Sequence, residues 1–162
     1  TLKKKMDEPT IDDSEGLRRA YERDSGLYDF QDALYIAGTK SLDDISNWPL
    51  LPSGRVHKTR RYKDAMNHIN AMNKKPKRLI GHSYGASVSQ AIGEELGLEV
   101  RSYGTPAWNP LGLGAGKEHT LRFKHWGDPV GSLDSNATLV KAPGWWPHSY
   151  AGYKFRSNET LS

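Results

Sequence analysis

The first stretch with a regular apolar period begins only at Leu17. Residues 1 to about 13 are charged and aperiodic, which predicts an extension that trails or wraps the domain. Leu17, Ala20 and Tyr21 then recur at i, i+3, i+4 behind Asp13 or Ser14 as N-cap, predicting a short helix that ends near Ser25-Gly26. Ala33 to Ala37 is a continuous apolar run stopped by Gly38-Thr39, as a strand buried on both faces reads. Lys40 to Thr59 carries Trp48, Pro49, Pro52 and Gly54 without a sustained period and predicts a long surface excursion. Tyr62, Ala65, Met66, Ile69 and Met72 mark a second helix, closed by Lys74-Lys75-Pro76, with its methionines in the core. Arg78-Leu79-Ile80 reads as a second strand, Val88, Ala91, Ile92 and Leu96 as the apolar face of a third helix, and Leu98 to Tyr103 as a third strand. Thr120 to Lys124 alternates and predicts a near-edge fourth strand, with Leu121 and Phe123 inward. Strand alternating with helix predicts an α/β fold: one domain over residues 1–162, with a mostly parallel sheet and helices on both faces.

Between the second strand and the third helix lies Gly81-His82-Ser83-Tyr84-Gly85. A serine hydroxyl is a weak nucleophile, so chemistry at Ser83 requires an exposed Oγ, a base, and N–H donors where an oxyanion would form. Glycines at 81 and 85 relieve crowding where a strand turns sharply into a helix, and the Tyr84 backbone N–H becomes one oxyanion donor. The competing reading is a plain turn before a helix; the strand before and amphipathic helix after are the context the chemistry needs. In the α/β-hydrolase architecture the acid and histidine follow the serine in chain order. Glu94 and Glu95 lie on the serine's own helix, leaving Glu99, Glu118, Asp128, Asp134 and Glu159. Asp128 follows directly from the fourth strand and is preferred, with Asp134 in reserve. Of the later histidines, His119 and His125 belong to the fourth strand or its flank, whereas His148 stands in the aromatic, proline-bounded segment Pro143 to Tyr150 and is the candidate base. His82 precedes Ser83 on the strand, so its ring is expected to point away from Oγ and to pack.

From about Ala33 to Tyr153 these motifs together resemble the class 3 (fungal-type) lipase family in a shortened form: Gly-His-Ser-x-Gly at 81 to 85, Gly104-Thr105-Pro106, Asp128-Pro129-Val130 and the late His148. The resemblance implies a minimal α/β-hydrolase fold and a Ser83–His148–Asp128 triad working through an acyl-enzyme. It implies that Thr39, in Gly38-Thr39, supplies the second oxyanion contact beside Tyr84. It also implies a lid within Lys40 to Pro52. Trp48, Leu50, Leu51, Trp145 and Trp146 are the candidate substrate-binding or lid residues. The chain departs from the family at Tyr84, usually leucine, and at Ala86, usually a second glycine.

Composition narrows the chemistry further. With no cysteine, disulfides, a thiol nucleophile and cysteine-ligated zinc are excluded, and the six histidines have no zinc-binding spacing, so no metal or other cofactor is expected. No apolar run is long enough to span a bilayer, and Thr1 to Lys5 does not read as a signal peptide, so a soluble enzyme is expected. A chain starting at Thr1 reads as a processed or excised product, and localisation stays open. The net charge of +4 comes with basic runs at Lys3 to Lys5, at Lys58, Arg60, Arg61 and Lys63, and at Lys74, Lys75, Lys77 and Arg78. Such runs are expected to form solvated faces; with the tryptophans they also suit an anionic membrane surface. The expected partner is a lipid or small ester, with no nucleic acid; oligomeric state is not legible. Acyl transfer, thioester cleavage, or a non-catalytic basic binding module on the same fold stay open as alternatives.

Overall fold

The computed structural model describes residues 10–40, 56–104, 120–125 and 138–140. Its elements run α1 (Asp13–Glu22), β1 (Leu27–Phe30), β2 (Ala33–Ile36), a 3₁₀ turn (Val56–Lys58), α2 (Arg60–Ala71), β3 (Arg78–His82), α3 (Tyr84–Leu96), β4 (Glu99–Tyr103), β5 (Thr120–His125) and β6 (Thr138–Val140). The described strands form one six-stranded sheet in the order β1-β2-β3-β4-β5-β6, with β1 antiparallel to β2 and every later pairing parallel. The protein is therefore an α/β protein with a mixed, mainly parallel sheet.

Because successive parallel strands step across the sheet in one direction, right-handed crossovers put α2 and α3 on the same face. Strand alternation supplies that face with Leu34, Ile36, Leu79 and Val100, which pack on Ala65 and Ile69 of α2 and Val88 and Ile92 of α3. The opposite parity, Ala33, Tyr35, Ile80 and Tyr103, packs on Leu17 and Ala20 of α1. Helices thus cover both faces. In β2 every residue is buried, the pattern of a strand covered on both sides.

Several expectations are corrected. The N-cap of α1 is Asp12, whose carboxylate accepts the Glu15 N–H at 2.9 Å. Asp13 is fully buried, so the chain has joined the core by the first residue of α1, and residues 1–9 of the expected extension lie outside the described residues. The helix needs a short acceptor one residue earlier because Asp13 itself is turned to the sheet. In α2, Met66 packs at the core's margin and Met72 is the half-buried C-cap; the fully committed stripe is Arg61, Ala65, Ile69. Arg61 and Arg78, read as parts of solvated basic runs, are each 5% exposed. Leu96 does not extend the apolar face of α3, since the helix has run past the sheet there and leaves it 41% exposed. β1 and β6 were not foreseen. Among the described residues no helix is long and apolar enough to cross a membrane.

Candidate functional site

Ser83 joins the end of β3 to the start of α3 with φ 57° and ψ −122°. That is the backbone of the first central residue of a type II′ turn, a conformation dominated by glycine because an L side chain is crowded there. Strain of this kind, on the order of 1–3 kcal/mol, persists only where surrounding structure over-determines it. Three features do so. The Ser83 N–H donates to the Tyr103 carbonyl at 2.8 Å, prolonging the β3–β4 ladder by one residue. The Ser83 carbonyl accepts from the Ala86 N–H at 2.9 Å, so the helix begins with no intervening loop. Gly81 and Gly85 let the crossing close: a Cβ at 81 would lie 2.3 Å from the Gly85 carbonyl oxygen, and one at 85 only 2.1 Å from that of Ile36.

The caps of the three helices differ. Asp12 and Thr59 each turn a side chain back onto the first-turn amides of α1 and α2. The Ser83 side chain makes no such cap to α3. The hydroxyl is therefore not committed to capping, and it belongs to the residue at the amino, positive end of α3.

β2 runs beside β3 with Ile36 opposite Gly81, so Ala37-Gly38-Thr39 leaves the sheet alongside His82-Ser83. A Cβ at Gly38 would lie 2.9 Å from the His82 carbonyl oxygen and 3.1 Å from the Ser83 Cβ. Gly38 therefore lies against Ser83, and half-buried Thr39 is the next residue along. Three predicted site residues, Thr39, Ser83 and Tyr84, thus lie at the carboxyl edge of the sheet. Tyr84 is fully buried under the α2 face. His82 points to the opposite face, buried, with Nδ1 2.6 Å from the Tyr21 hydroxyl, as expected of a packing residue.

Asp128, His148, Trp48, Leu50, Leu51, Trp145 and Trp146 lie outside the described residues. The strands that precede the first two in sequence, β5 and β6, run parallel to β3 and so end at the same sheet edge as Ser83.

Lys40, beside the site, and Lys74 and Lys75, at the opposite edge of the sheet where β2 and β3 begin, are engaged in the fold. Lys40 Nζ donates to the Tyr21 and Arg23 carbonyls, Lys75 Nζ to the Ile69, Asn70 and Met72 carbonyls at the end of α2, and Lys74 pairs with Asp32 at 3.1 Å. Arg61 was missed by the sequence reading. Its place at i−4 from Ala65 and i−8 from Ile69, on the buried stripe, is the signal that marks it. Among the described residues no cluster of His, Asp or Glu could hold a metal ion. No protein-family model, curated protein or solved structure matches this chain.

Proposed function

We propose that this protein is a serine carboxylic-ester hydrolase of the α/β-hydrolase type, acting on lipid or small esters, with Ser83 as nucleophile. The observation that carries the reading is the positive-φ backbone of Ser83 at a loop-free strand-to-helix junction, with its hydroxyl withheld from capping. Such strain is costly for a serine and has no structural use that glycine would not serve better.

In this reading the Ser83 Oγ attacks the ester carbonyl carbon while His148, oriented by Asp128, takes its proton. The carbonyl oxygen gains the negative charge beside the Tyr84 N–H and the Thr39 N–H and hydroxyl. Collapse of the adduct breaks the ester C–O bond, and His148 returns the proton to the departing alcohol. Water, deprotonated by the same imidazole, then releases the acid and regenerates Ser83. The start of α3 contributes its positive end to the developing oxyanion. The order and type of residues also support the likeness to class 3 lipases. An acyl acceptor other than water, or a thioester, would use the same groups.

Labelling with a fluorophosphonate and hydrolysis of p-nitrophenyl esters of graded chain length test the reading together. Both are expected in the wild-type chain, with Ser83→Ala losing the label and on the order of 10⁶ in kcat. Turnover near wild type in Ser83→Ala sinks the assignment.

A further inference from the structure

Arg61 is a cation almost wholly removed from water, which is unfavourable unless its donors and charge find specific partners. It is placed at the opening of α2, and what it touches lies on both sides of Ser83. Its Nη1 is 3.4 Å from the Ala37 carbonyl oxygen, two residues before Thr39. Its Cζ stands 5.6 Å from the centroid of the Tyr84 ring, a cation–π distance. Its own backbone N–H donates to the Tyr84 hydroxyl at 3.3 Å. The guanidinium occupies a slot that exists because residue 26 is glycine: a Cβ there would fall 1.6 Å from Nη1. Gly26 in turn accepts the Ala37 N–H at 2.8 Å, so both sides of residue 37 are fixed, one by Gly26 and one by Arg61.

We propose that Arg61 is the positioning residue of the oxyanion hole, one planar group bracing both the segment that carries Thr39 and the residue that carries the second donor, Tyr84. The inference rests on the hydrolase reading above. Arg61 touches no substrate; it sets the spacing between two donors that must both reach one oxygen. A lysine keeps the charge but has neither the fork nor the flat face that contact a carbonyl and a ring together.

The test uses the full chain and its Arg61→Lys and Arg61→Ala variants, with thermal melting to follow the fold. Misplacing catalytic groups by about 1 Å costs roughly 10²-fold, so kcat on a p-nitrophenyl ester is expected to fall about 10- to 100-fold in both variants. KM is expected to stay within about twofold, because the donors act on the transition state. Affinity for a trifluoromethyl ketone, whose adduct with Ser83 places an oxyanion in the hole, is expected to fall in parallel with kcat/KM. Guanidinium at concentrations well below those that unfold the chain is expected to restore part of the kcat of Arg61→Ala by refilling the slot; a purely structural loss would worsen in a denaturant. Should Arg61→Ala not fold, Tyr84→Leu keeps the backbone N–H and removes the ring and hydroxyl, and is expected to lower kcat with KM unchanged. The proposal is overturned if wild type labels with fluorophosphonate while Arg61→Lys and Tyr84→Leu keep full kcat, or if kcat, KM and melting temperature change together without rescue. Absence of both label and turnover in wild type instead removes the hydrolase reading, and this inference with it.

Discussion

A methyl group at position 85 would meet backbone rather than a movable side chain: the Ile36 carbonyl oxygen at 2.1 Å and the Ala37 carbonyl oxygen at 2.5 Å. Neither can turn aside without shifting the strand that leads to Gly38-Thr39. Gly85→Ala is therefore expected to cost at least the roughly 1–3 kcal/mol of an overpacked core and to lower ester turnover as well. Gly97→Ala is the control. Gly97 closes α3 at φ 69°, and a methyl there would meet nothing within 4 Å, so its cost is the left-handed backbone alone, about 1–2 kcal/mol, with turnover unchanged. Urea unfolding and ester assays on both variants decide it; equal loss of turnover in both would show that the α3–β2 approach does not govern the site. At this scale the sequence is legible in part. The pair Gly81 and Gly85 announces a close approach, but not that the carbonyls of Ile36 and Ala37 are what approach.

The first turn of α1 concentrates charge. Glu15 accepts from Arg18 at 2.6 and 2.9 Å and from Arg19 at 2.9 Å, and these partners hold its pKa down from 4.5 to about 2, the Arg18 hydrogen bond first and the Arg19 hydrogen bond next. The folded carboxylate thus binds its proton less readily than the unfolded one. Its contribution to stability is present above about pH 4.5 and is lost as the pH falls toward 2. Asp32, lowered chiefly by its hydrogen bond to Lys74, titrates in the same direction, so the slope of wild type alone does not isolate Glu15. The difference between wild type and Glu15→Gln does. Melting temperatures are expected to differ modestly at pH 6, since the pairs are part-exposed, and to converge between pH 4.5 and 2; a difference constant across that range contradicts the pairing. Element by element, β2, β3, β4, α2 and α3 are legible because apolar period and Gly or Pro stops agree. β1 is not, because its hairpin turns through Gln31-Asp32, with Gln31 at φ 53°, in place of the Asn-Gly or Asp-Gly that mark such turns. The start of α1 and the burial of Arg61 are hidden for one reason: each places a charged residue on an apolar stripe, where periodicity counts it as polar.

Across the whole molecule, α1 is the cover of one sheet face, and it is held there by charge as well as by Leu17 and Ala20. Asp13, at its first turn, receives Arg101 of β4 through two hydrogen bonds, at 2.7 and 2.9 Å, and the Tyr103 hydroxyl at 2.5 Å. Asp13 is fully buried and Arg101 nearly so. Burial alone would lower the Arg101 pKa, but the hydrogen bond and charge of Asp13 raise it overall, so the fold favours the charged guanidinium. These contacts join positions 88 and 90 residues apart, which couples the N-terminal helix to the strand beside Ser83. A buried pair of this kind adds little net stability over apolar replacements, yet removing one partner strands the other charge away from water. Asp13→Asn is therefore expected to cost about 3–5 kcal/mol in urea unfolding, whereas Asp13→Leu with Arg101→Met is expected to lie within about 2 kcal/mol of wild type. An unchanged denaturant slope in Asp13→Asn would mean that the molecule still unfolds as one unit. If the double variant loses as much as the single one, the stability at this junction comes from the shape of the two side chains and not from their charges.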